Sequence, residues 1–114
     1  MIVDAQVNIG GSRAAVWAAI SDIKNAAQII TGIVSIEMVN KPAHGLAGLR
    51  WRETRMMFGQ PATVEKWITE AVENEFYKTR AESDGYIFLT TNRISGGANG
   101  ATLATAHESL PQSL

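Results

Sequence analysis

The chain has 114 residues, 46 % of them apolar, and its ten Lys and Arg against eleven Asp and Glu leave a net charge of −1. That length is one domain (1–114) with enough apolar material for a core, and a balanced charge argues against nucleic acid as a partner. With no Cys there is no disulfide, thiolate nucleophile or Cys-ligated zinc; with no run of ~18 apolar residues there is no membrane span.

In Ile2 to Ile9 the polar Asp4, Gln6 and Asn8 share one parity and Val3, Ala5, Val7 and Ile9 the other. Period two predicts a strand with one wet and one buried face. It is not a signal peptide, so cytoplasmic residence is the default. Gly10-Gly11 breaks this strand, and Ser12 is a good N-cap for a helix beginning at Arg13. Val16, Ile20 and Ile23 follow at helical spacing with Trp17 beside them. Ser21-Asp22 offers a second cap and Thr31-Gly32 a terminating glycine, which predicts two short helices in succession across 13–31.

Strand signals then take over: Ile33 to Asn40, Leu49 to Phe58, Ala62 to Ala71, Phe76 to Ser83, Tyr86 to Ser95 and Ala101 to Ser109. Lys41-Pro42 with His44-Gly45, Gly59-Gln60-Pro61, Glu73-Asn74-Glu75 and Gly96 to Gly100 separate them. Asp84-Gly85 is the strongest hairpin signal, because a type I′ turn needs positive φ. The predicted architecture is α+β: strand, helix, helix, then six strands in a meander, forming one curved antiparallel sheet of about seven strands.

This order, with Val7-Asn8-Ile9 through Ser12-Arg13-Ala14-Ala15-Val16-Trp17 to Ile20-Ser21-Asp22, then Ser35-Ile36-Glu37-Met38, resembles the START/SRPBCC (polyketide cyclase-like, helix-grip) superfamily. Gly48 to Arg55 looks like its strand after a Gly-rich turn, and Asn99-Gly100-Ala101-Thr102-Leu103 like its last hairpin. Members similar to this chain usually end in a long C-terminal helix gripped by the sheet. Here the chain stops at His107 to Leu114, where that helix should begin. Burying its apolar face would contribute on the order of 10 kcal/mol. Three explanations follow: the chain is truncated, a second copy covers the groove as a homodimer, or the sheet closes differently.

Strand parity supplies a lining. With Arg50 and Arg52 turned to water, Trp51, Glu53 and Arg55 face inward; with Lys78, Arg80 and Glu82 outside, Tyr77, Thr79 and Ala81 face inward. On the last strand Leu103, Thr105 and His107 do the same. Parity does not decide between the two faces around Trp67 or Phe88, which are carried as ligand-lining candidates. An apolar cavity with a few converging polar groups suits a small ligand. Glu53 as a base, Arg55 holding an enolate or carboxylate, and Tyr77 or His107 giving a proton would make an enzyme. Equally, Glu53 and Arg55 can neutralise each other, Tyr77 can be a core tyrosine, His107 a hydrogen-bonded strand-end residue, and Trp17 and Trp51 packing. The two His and absent Cys give no zinc spacing, and no nucleotide-loop or GxSxG motif occurs, so no metal or cofactor is implied. The leading expectation is binding of a hydrophobic small molecule (lipid, sterol or aromatic polyketide-like) between sheet and helices. A cyclase or dehydratase using Glu53, Arg55 and Tyr77 is the first alternative, and a co-chaperone-type interaction module the second.

Overall fold

The alternating segment forms strand β1 (Ile2–Ile9) in a computed structural model that describes residues 2–25, 32–83, 85–97 and 100–112. Gly11 then turns the chain at φ 138°, and helix α1 (Arg13–Ile20) starts where Ser12 places it: the Ser12 hydroxyl accepts the Ala15 N–H at 3.1 Å, satisfying one of the unpaired donors of the first turn. Ser21 closes α1 by donating its N–H and its hydroxyl to the Trp17 carbonyl. The second helical segment begins as a 3₁₀ turn over Ile23–Asn25, held by Asn25 donating to the Asp22 carboxylate at 2.9 Å. Residues 26–31 of that expected helix lie outside the described residues, as do Asp84 of the expected I′ turn and residues 98–99 of the last hairpin.

Six strands follow: β2 (Ile33–Asn40), β3 (Arg50–Met57), β4 (Gln60–Val72), β5 (Phe76–Ser83), β6 (Tyr86–Gly97) and β7 (Gly100–Pro111). All pair antiparallel in one sheet ordered β1-β7-β6-β5-β4-β3-β2, which is the expected α+β meander with its first strand returned to the last. β4 begins two residues earlier than the sequence suggests. Phe58 and Gly59, at φ 52° and 79°, make a tight two-residue hairpin, and Gln60 and Pro61 already belong to β4. Pro61 is tolerated there because β5 pairs with β4 only from Lys66 onward, so that edge needs no donor. Register shifts at Ile68/Glu70 in β4 and at both ends of β2 insert bulges, which bend strands and sharpen their twist. They help to curve the sheet.

The helical segment covers one half of the concave face. Val16 packs with Ile94 and Ala101 from the β6–β7 hairpin, while Ile23 packs with Leu49, just before β3, and with Trp51, Ile68 and Tyr77 from β3, β4 and β5. Trp17 and Ile20 contact both groups. Trp17 meets the edge of Tyr77 at 6.0 Å with the rings 77° apart, a favoured aromatic arrangement. Gly48 and Leu49 run β3 backwards onto β4, since Gly48 donates to the Ile68 carbonyl and Ile68 to Leu49, both at 2.9 Å. β7 runs to Pro111, and among the described residues no helix follows it.

Candidate functional site

The half of the concave face that α1 leaves open carries a hollow of about 340 Å³. Its position follows from register. Glu53 pairs with Val64 and Arg55 with Ala62 across β3–β4; Ala81 pairs with Phe88 and Thr79 with Thr90 across β5–β6; Thr90 pairs with His107 across β6–β7. Directly paired residues share a face, and with Lys66 these are the residues that line the hollow. The sequence-based expectation of a cavity between sheet and helices is therefore corrected: strands β3 to β7 form this one, and neither α1 nor the 3₁₀ turn contributes to its wall.

Glu53 anchors its β3–β4 side. It is only 6 % exposed and is the one buried charged side chain among the described residues. One carboxylate oxygen accepts from Arg55 Nε at 2.5 Å and from Lys66 Nζ at 3.0 Å, and the other accepts a long 3.5 Å contact from Trp51 Nε1. Burial by itself would raise the Glu53 pKa. The Lys66 charge and the hydrogen bonds from Arg55 and Lys66 outweigh it and hold the carboxyl below the ordinary carboxylate value. Glu53 is thus an ionised anchor rather than a poised base. The expected mutual neutralisation of Glu53 and Arg55 occurs, with a third partner.

The other anticipated residues divide. Arg55, half-exposed, and Phe88 and His107, exposed, face the hollow. His107 Nδ1 is hydrogen-bonded to the Thr90 hydroxyl at 3.0 Å. Trp51 shares the face but is buried in the core beneath the helical segment, reaching the site only through its indole nitrogen. Tyr77 also shares the face, one step towards α1, and its hydroxyl donates to the Ile20 carbonyl at 2.9 Å. Burial, helped by the Glu53 charge, pushes its pKa up to about 12, so it holds its proton firmly at neutral pH. Trp67 is corrected outright. It pairs with Arg50 and Arg80 on the convex face, and the Arg50 guanidinium lies 4.3 Å from the centre of its ring. Arg50 and Arg52 both reach Glu65 on that outer side.

Sequence reasoning missed Lys66. The signal was present: Lys66 has the parity of Val64 and Ile68, and assigning that apolar pair to the interior would have carried Lys66 with it. Thr90 was missed for the opposite reason, since both parities of β6 are apolar.

Several solved structures share this architecture. A START superfamily protein from Mycobacterium smegmatis superposes with a TM-score of 0.83 at 16 % identity, over 98 % of this chain and 78 % of that one. The Zhui aromatase/cyclase from Streptomyces sp. R1128 gives 0.85 at 13 % identity, over 100 % and 70 %, and a Thermus thermophilus protein 0.82 at 14 %, over 99 % and 76 %. No protein-family model matches the sequence, and no curated protein does. The chain has the START, helix-grip fold; at these identities the likeness carries the fold alone.

Proposed function

We propose that the protein binds a hydrophobic small molecule in the open half of its concave face. The observation that carries this reading is a buried, ionised Glu53 held by Arg55 and Lys66 at one side of an otherwise largely apolar hollow. Ligand sites take this form, with apolar walls for affinity and a few fixed polar groups for orientation. Structures of the same fold include an aromatase/cyclase, which accords with a ligand of this kind. Titration with the neutral fluorophore N-phenyl-1-naphthylamine tests it: enhanced, blue-shifted and saturable emission is expected, lost in Thr90→Trp, which fills the hollow. An absence of saturable binding by the folded protein ends the proposal.

A cyclase-type enzyme is the second reading, favoured by Arg55, whose cationic fork faces the hollow and suits an enolate. Against it, Glu53 is tied to two cations and the Tyr77 proton is committed to Ile20. Consumption of a polyketide-like substrate that disappears in Arg55→Gln would establish it. An interaction-module role needs a partner that copurifies with a domain unable to bind the probe.

A further inference from the structure

The hollow is electrically unbalanced. Glu53 contributes one negative charge, Arg55 and Lys66 two positive ones, and no second carboxylate lines it among the described residues. Both cations also have unused capacity. Arg55 engages only through Nε, leaving its two terminal nitrogens unpartnered among the described residues, and Lys66 uses one of its three donors. Lys66 is about 29 % exposed and Arg55 43 %, so both can reach a group in the hollow without leaving Glu53. Ala62, Val64, Ala81 and Phe88 supply the apolar part of the wall, with Thr79, Thr90 and His107 making up the rest, and the apolar side chains lower the local dielectric in which the excess charge is felt.

We infer that the ligand is an amphiphile with a single anionic head, a monocarboxylate above all, whose head sits between Arg55 and Lys66 while its apolar body lies along Val64, Ala81 and Phe88. This rests on the reading of the hollow as a ligand site and goes beyond it by naming the head. Glu53 is then a positioning residue: it fixes both cations and keeps the site from attracting two anions. A neutral alcohol of the same length satisfies the apolar wall but leaves the surplus cation solvated only by water. A cationic amphiphile is repelled. Charge-assisted hydrogen bonds are roughly twice as strong as neutral ones, which sets the sense of the preference.

Displacement of bound N-phenyl-1-naphthylamine by decanoate, decanol and decylamine at neutral pH and low salt tests this. Decanoate is expected to compete about tenfold more tightly than decanol, with decylamine weakest. Arg55→Gln and Lys66→Gln should each remove most of the decanoate advantage over decanol. Glu53→Gln, if it folds, should enlarge that advantage. Equal competition by decanoate and decanol, a preference for decylamine, or a decanoate preference that survives both cation variants overturns the inference while leaving the ligand site standing. Failure of the fluorophore itself to bind overturns the site and, with it, the head group.

Discussion

The Tyr77 hydroxyl donates to the main-chain carbonyl of Ile20 at 2.9 Å, joining the start of β5 to the last residue of α1. This bond meets one of the carbonyls that a helix end leaves unpaired and secures α1 to the sheet. Tyr77→Phe should cost about 1–3 kcal/mol, because it leaves a part-buried acceptor unsatisfied, read as a lower urea midpoint without a change in m-value. A variant as stable as the parent would show the tie to be incidental. The same group sets alkaline behaviour. Its pKa of about 12 lies above the unfolded value of ~10, so its contribution is complete below pH ~10 and declines as pH rises towards 12. Tyr77→Phe should lose that part of the alkaline decline.

Glu53 sets the opposite limit. Its carboxyl is held below the ordinary value by Lys66 and Arg55 in spite of burial, so its contribution is present above the unfolded pKa of ~4.3 and falls away as acid drives the folded group to protonate. Stability of the parent should therefore drop more steeply between about pH 5 and pH 3 than that of Glu53→Gln. Parallel pH profiles from thermal melts would show that the cluster adds nothing to folding.

Trp67→Ala should leave fluorophore binding unchanged, because the ring lies on the convex face beneath Arg50. Phe88→Ala, on the concave side, should weaken binding several-fold. Titration of the two variants side by side decides which face carries the site.

Gly96 has φ 100°, and a Cβ there would fall 2.6 Å from the Gly100 carbonyl oxygen. Gly96→Ala combines a left-handed backbone with a main-chain clash and should cost about 1–3 kcal/mol, with the loss centred on the β6–β7 hairpin. An unchanged melting temperature would contradict this geometry.

What could be read from the sequence depended on how local its determinants are. Ser12 caps Arg13–Ile20 because a hydroxyl three residues from a donor is a local fact, and Phe76–Ser83 appears with its expected limits because charges at alternate positions mark its wet face. The parity that turned Trp51, Glu53 and Arg55 inward was local as well. Trp67 failed because Val64 and Ile68 share one parity of β4 and Glu65, Trp67 and Thr69 the other, and which of the two is the concave one is decided only by the strands paired on either side. The Glu53–Lys66 pair failed for a related reason. Glu53 is directly opposite Val64, and Lys66 reaches it diagonally across the ladder, a relation that exists only once two strands are paired. The hollow itself was expected under a helix, yet α1 is only eight residues long and spends its apolar side on Ile94, Ala101 and the Tyr77 group.

The sheet order brings β1 beside β7, pairing Val7 with Leu103 and Ala5 with Thr105. Contacts between residues so distant in sequence form late, because loop closure must be met before they stabilise anything. β1 is made well before its neighbour in the sheet, and until β7 has left the ribosome it lacks that partner. Slow assembly and a need for protection of the nascent chain follow from that one pairing.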